Sequence, residues 1–138
     1  MSLHGIFFQI TKQARADLDR WLRKTKTGIT SLQYGVLRSI AKKKMAFNEL
    51  ARHLSLQPPS ILPSVDSLEQ HGYIVRRRDP SDRRKVYLVI TPKGKKLLER
   101  VSTAHRNDSV TKAFRKMSQA KQKQLVALLE EFMKKINN

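Results

Sequence analysis

One stretch of this chain breaks from helical periodicity, and it limits what the rest can become. Residues 72–92 read GYIVRRRDPSDRRKVYLVITP. Tyr73, Ile74 and Val75 begin one β-branched and aromatic run and Val86 to Ile90 form a second, which is the composition of strands. Between them, Asp79-Pro80-Ser81-Asp82 suits a type I turn: Pro presets φ at the second position, and the Asp side chain bonds back to nearby amides. The stretch predicts a β-hairpin. Arg76, Arg77, Arg78, Arg83, Arg84 and Lys85 flank its turn against the carboxylates of Asp79 and Asp82. A projecting finger of that charge suits an anionic polymer.

The remainder reads as helices. Phe7, Ile10, Ala14, Leu18 and Trp21 recur at helical spacing with charged residues between them, and the break falls at Lys24 to Gly28. Thr30 followed three residues later by Gln33 is a capping-box pattern that starts a second helix, reaching about Ala41 and stopping at Lys42-Lys43-Lys44. Phe47, Leu50, Ala51 and Leu54 make a short third helix. Ser55 to Pro59 then turn the chain into a fourth, carrying Ile61, Leu62, Val65 and Leu68 and ended by Gly72. After the hairpin, Thr91-Pro92 launches a long helix through Leu97, Leu98, Val101 and Ala104, expected to bend or break before Ser118. Ser118 caps a last helix with Leu125, Leu128, Leu129, Phe132 and Ile136 on one face.

Composition narrows the class. A chain of 138 residues with 39% hydrophobic content supports one domain, and 29 Lys plus Arg against 11 Asp plus Glu give a net charge of +18. That excess points to nucleic acid. No apolar run of membrane-spanning length and no signal-peptide pattern is present, so a cytoplasmic location is expected and a membrane partner is not. The absence of Cys excludes disulfides, thiolate zinc sites and thiol switches. His4, His53, His71 and His105 lack metal-ligand spacing, and no phosphate-binding Gly loop occurs. Neither catalysis, a metal nor a cofactor is expected.

Two short helices joined by a tight turn and followed by a basic hairpin describe a winged helix-turn-helix. The pieces GITSLQYGVLRSI, FNELARHLSL and SVDSLEQHGYIVRRRDPSDRRKVYLVITPKG, in that order, resemble the MarR family of transcriptional regulators. The most specific is DPSDRR followed by alternating apolar residues and Thr-Pro-Lys-Gly. The resemblance implies a mainly α fold: a winged helix-turn-helix over 30–91 with a two-stranded β wing, and dimerisation helices over 1–27 and 92–138, within one domain spanning 1–138. It also implies that Arg84 enters a DNA minor groove beside Asp82, and that a small phenolic or lipophilic effector releases DNA. A pocket for that effector would be lined by Phe7, Phe8, Trp21 and Tyr34, although aromatics at helical spacing are more often core.

The expected DNA contacts are Thr30 and Gln57 at helix starts, Ser60, Ser64 and Ser67 on the recognition helix, and Arg78, Asp82, Arg83, Arg84 and Lys85 on the wing. If Asp82 and Arg84 sit in a strand, both point the same way and the carboxylate can hold the guanidinium in a bidentate pair. The recognition helix departs from the family's usual mid-helix Arg. Ser60, Pro63, Ser64 and Ser67 are placed on its groove side, and serine discriminates bases less well than Arg or Asn. Pro63 costs about 3 kcal/mol inside a helix, so the regular helix is expected to start near Ser60 or Ile61, putting Pro63 in its first turn. The terminal apolar stripes could be covered by packing of the two ends on each other within one chain, but the symmetry usual for helix-turn-helix proteins favours a homodimer on a pseudo-palindromic operator of double-stranded DNA. The rival reading is an architectural protein that coats DNA by charge alone.

Overall fold

The computed structural model describes residues 1–105 and 108–137; the side chains of 103–105 lie outside the described set, and with them the expectations for Ala104 and His105. Two compact units result, one of residues 18–105 and one of 1–17 with 106–138.

The first unit takes the end of α1 (Leu3–Lys24), then α2 (Ser31–Lys42), β1 (Met45–Ala46), α3 (Phe47–His53), α4 (Pro58–Gln70), β2 (Ile74–Arg78), β3 (Val86–Ile90) and α5 (Pro92–His105). The capping box at α2 forms in both directions: Thr30 Oγ1 accepts from the Gln33 amide at 3.1 Å and Gln33 Oε1 from the Thr30 amide at 2.9 Å. Helix α4 ends where Gly72 takes φ +77, with the Tyr73 amide reaching the Leu68 carbonyl and the Gly72 amide that of Glu69. Both bonds of a Schellman ending are present, and they need a residue that tolerates the left-handed region.

The hairpin pairs Ile74 with Ile90, Arg76 with Leu88 and Arg78 with Val86, so alternate residues face opposite sides. Ile74, Leu88 and Ile90 go into the core. To the expected two strands a third is added: Met45 and Ala46 pair antiparallel with Leu88 and Tyr87, giving the order β1-β3-β2. Two residues carry too little pattern to be read as a strand beforehand. Lys44, just before them, places its ammonium 4.6 Å from the Tyr87 ring. Leu37, Leu50, Ile61, Leu68 and Val101 are fully buried, so the helices and the sheet share one core. Gly94 explains the last part of the Thr-Pro-Lys-Gly run, because a Cβ there would overlap the Tyr73 carbonyl and come 2.8 Å from Ile90 Cγ1.

The second unit comprises the start of α1, α6 (Ser109–Arg115) and α7 (Gln119–Ile136). The helix launched at Pro92 breaks before Ser118, as expected: α5 (Pro92–His105) ends and Asp108 caps a new start by accepting from the Thr111 amide at 2.6 Å. Asp17 accepts from Gln13 Nε2 at 3.0 Å and from the Ser109 amide at 2.8 Å. Ser118 caps α7 as expected, through the Lys121 amide. Phe7 stacks on Phe132 at 5.7 Å, yet neither α6 nor α7 buries any residue.

Candidate nucleic-acid interface

Helix α4 and the wing emerge from the same core. Ile61, Val65 and Leu68 anchor one side of α4, and Ile74 and Leu88 anchor the hairpin beside it. On a helix of 3.6 residues per turn, Pro59, Pro63 and Gln70 then point furthest from the core. Ser60, Ser64 and Ser67 fall on one flank, and Leu62, Asp66 and Glu69 on the other. Exposure agrees: Pro59, Ser60, Leu62, Pro63, Asp66 and Gln70 are exposed, whereas Ser64 and Ser67 are half-buried. The serine face expected at the groove is therefore a flank. The crest is apolar and amide, with no Lys or Arg anywhere in α4.

Pro63 corrects a second expectation. The helix begins at Pro58 after the Gln57 cap, so Pro63 lies past the first turn and the preceding connection is short. Its missing amide leaves the Pro59 carbonyl without an intrahelical donor. Because both prolines lie on the exposed crest, water can take that carbonyl, which is why the helix survives the substitution of a donor by a ring. Gln57 is exposed and its side chain makes no capping bond. Thr30 is also exposed, but its hydroxyl oxygen is already engaged in the α2 cap.

The wing tip differs from the reading in where it turns. Asp79 Oδ1 accepts from the Ser81 amide at 2.8 Å, the Ser81 hydroxyl at 2.6 Å and the Asp82 amide at 3.3 Å. The Ser81 hydroxyl, then its amide, holds the Asp79 carboxyl below the ordinary carboxylate range, with a further contribution from Lys44. The backbone-closed turn lies further on, where the Lys85 amide donates to the Asp82 carbonyl at 3.0 Å. Asp82 and Arg84 thus sit in the turn and not in a strand. They do pair, but through one carboxylate oxygen, which accepts from the Arg84 amide at 3.1 Å and from Nε at 3.3 Å. The pair is monodentate, because a turn cannot lay the guanidinium fork along the carboxylate as alternate strand positions would. Asp82 fixes the backbone and root of Arg84, whose side chain remains 92% exposed.

Around that tip Arg77, Arg78, Arg83 and Lys85 are exposed, and no carboxylate among the described residues pairs with them. Arg76 behaves differently from the other cations. Its Nη2 donates to Asp66 Oδ1 at 2.8 Å and its Nη1 to Glu69, tying β2 to α4. The hydrogen bond to Asp66 raises its basicity most, burial lowers it, Glu69 raises it further, and the net direction is up. From the sequence alone Arg76 is one more cation of the wing. The signal was present: Asp66 and Glu69, three apart, share a helix face, and Gly72 folds the next strand back beside it.

The aromatics expected around an effector lie in different settings. Tyr34 is 4% exposed in the core of the winged unit, and Trp21 packs against that core with its Nε1 buried and without an acceptor among the described residues. Phe7 faces Phe132 in the helical unit, where Phe8 is 66% exposed. An open groove of about 410 Å³ on α6 and α7 is lined by Phe114, Gln122, Val126 and Glu130, among others, and by none of these four. Among the described residues, no three His, Asp or Glu side chains converge as metal ligands, and no helix is long and apolar enough to cross a membrane.

Comparison with known proteins agrees with this geometry. The sequence model of the MarR family matches residues 29–86, the greater part of the winged unit. Over 133 residues the chain is 27% identical to YkoM, an uncharacterized HTH-type transcriptional regulator of Bacillus subtilis, covering 95% of this chain and 84% of that one. It is 29% identical over 110 residues to the homoprotocatechuate degradative operon repressor of Escherichia coli, covering 76% and 71%. The transcriptional regulator BldR of Sulfolobus solfataricus superposes with a TM-score of 0.80 at 24% identity, over 96% of this chain and 93% of that one. Sco3205, a MarR family regulator of Streptomyces coelicolor solved in complex with DNA, gives 0.78 at 22% identity, over 99% and 86%. At those identities the two structures speak to the fold. The family model lies on the winged unit and the relatives matched along most of the chain are transcriptional regulators, so residues 29–86 carry a MarR family winged helix-turn-helix and the chain as a whole is similar to regulators of that kind.

Proposed function

We propose that this chain is a sequence-specific DNA-binding repressor that acts as a homodimer on a pseudo-palindromic operator. The observation that carries the reading is the pairing of α4's exposed crest with the exposed cations of the wing tip on one shared core. Helix α4 enters a major groove. Arg84, rooted by Asp82, enters the adjacent minor groove, while Arg77, Arg78, Arg83 and Lys85 meet phosphates. Ser60 and Gln57 are the polar groups at the reading end of α4, and Thr30 stands at the start of α2, where its amide end suits a phosphate.

The homodimer is supported by what the helical unit leaves uncovered. Leu128, Leu129, Phe132, Met133 and Ile136 on α7, and Leu3, Ile6, Phe8 and Ile10 on α1, are large apolar side chains in solvent. A second copy offers the matching surface. Repression is inferred from the Escherichia coli relative, which is an operon repressor.

Selecting bound sequences from a random DNA pool tests the reading. An operator should emerge that is preferred over random duplex by roughly 10³ or more. A ratio near unity would instead establish the architectural, charge-only protein.

Effector release rests on Trp21, whose buried Nε1–H has no acceptor among the described residues, a deficit of about 1–3 kcal/mol that a bound phenol or carboxylate would relieve. Titrating salicylate while following Trp21 fluorescence and operator binding should show saturable quenching with release of DNA. A flat titration with both readouts would remove salicylate-type ligands.

A further inference from the structure

Helix α4 presents a difficulty for any DNA reader. It has no cation, and two of its thirteen residues are carboxylates, Asp66 and Glu69, on the flank next to the exposed crest. Left alone, they would oppose a polyanion. One side chain answers both. Arg76 reaches from β2 across to Asp66 Oδ1 at 2.8 Å and to Glu69. Its side chain is 32% exposed, against 92% for Arg84 at the wing tip. Arg76 also shares its strand face with Ile74, whose side chain is fully buried, so its origin is fixed by the core. A planar guanidinium can hold two acceptors at once in a set geometry, which a single ammonium cannot.

We infer that Arg76 is a positioning residue: it locks the recognition helix to the wing at one angle, so that major-groove and minor-groove contacts are made in register. The inference rests on the operator reading above. It divides the wing's cations by role, with Arg77, Arg78, Arg83 and Lys85 spending charge on DNA and Arg76 spending it on α4. A helix free to tilt against the wing would still meet phosphates, but its base contacts and those of Arg84 would no longer coincide on one sequence.

The test measures affinity for the selected operator and for random duplex across a salt series. Arg77→Ala should weaken both alike and lower the salt slope by about one unit. Arg76→Ala should behave otherwise, cutting the operator preference at least tenfold while leaving the slope within about half a unit of wild type. Arg76→Lys keeps the charge and should not recover the preference. Asp66→Asn with Glu69→Gln, which leaves Arg76 intact but unheld, should also lose preference and gain about one unit of slope as the released guanidinium reaches phosphate. That double variant carries the test if Arg76→Ala fails to fold, and thermal unfolding of each separates the two cases.

Two results would overturn the inference. One is an Arg76→Ala protein that keeps its preference and loses a unit of slope, which makes Arg76 another phosphate contact. The other is full recovery of preference when Arg76→Ala is combined with Asp66→Asn and Glu69→Gln, which reduces its role to charge cancellation. A wild type with no operator preference overturns the operator reading itself, and this inference with it.

Discussion

The two units of this molecule are held together in opposite ways. In the winged unit, residues from Leu22 to Val101 supply every apolar side chain that is buried among the described residues. In the helical unit, α6 and α7 bury nothing, and order comes from the Asp108 and Ser118 caps, the Asp17 bonds and the Phe7–Phe132 stack. A unit with a closed core is stable alone; a unit of capped amphipathic helices is stable to the extent that something covers its apolar face. The division matches the two tasks of the proposed function. Reading DNA requires fixed geometry, and pairing requires a surface left open.

The strongest way to break the comparison is to charge the open surface. Leu128→Asp with Phe132→Asp would place two unpaired carboxylates in a dimer interface and split it. Losing bivalent attachment should lower operator affinity by about 10² to 10⁴, measured by fluorescence anisotropy, with each winged unit still folded. Unchanged affinity would detach α7 from DNA binding.

The next test sharpens the contrast in stability. Leu50→Ala removes a fully buried side chain from the winged core and should cost about 2–5 kcal/mol in denaturant unfolding, independent of protein concentration. Leu129→Ala on α7 should show a concentration-dependent loss instead, since what it weakens is association. Gly94→Ala belongs with Leu50: the added methyl meets the Tyr73 backbone and Ile90, and overpacking of that kind costs about 1–3 kcal/mol.

These expectations show how far the sequence reached. Thr30–Gln33, Gly72 and Ser118 announced themselves because capping is local chemistry, written in two or three neighbouring residues. The apolar stripe of α7 was equally plain from its spacing. What escaped was set by distance or by neighbours. The Arg76 pairing crosses from strand to helix, β1 exists only because β3 lies beside it, and the start of α4 at Pro58 follows from a crest that solvent can reach. The Asp82–Arg84 pair was found on the right residues with the wrong geometry, because the backbone-closed turn sits further along than the Pro suggested.

Smaller effects probe the wing. Arg84→Ala should cost about 1–3 kcal/mol of operator binding, the size of one good base contact, and relax preference for A·T steps beneath it. Asp82→Ala removes a negative charge from a DNA-facing loop, so charge alone predicts tighter binding. Because Asp82 roots Arg84 through its amide and Nε, we expect weaker binding, by part of the Arg84 loss. A gain in affinity would reject the rooting mechanism.

The smallest effect is acid sensitivity of the tip. The folded-state pKa of Asp79 is depressed, so its contribution is present above the ordinary carboxylate range and is lost only as pH falls through the lowered value. The Ser81 amide resonance should therefore hold its position while exposed carboxylates titrate and move only at lower pH.

The most direct test of the whole account is the mass of the wild-type chain in solution. Sedimentation equilibrium at micromolar concentration should give a species of twice the 16.0 kDa chain mass, with the Leu128→Asp, Phe132→Asp protein at that mass once. A wild type that sediments as a single 16.0 kDa chain would contradict the claim that a second copy covers the helical unit.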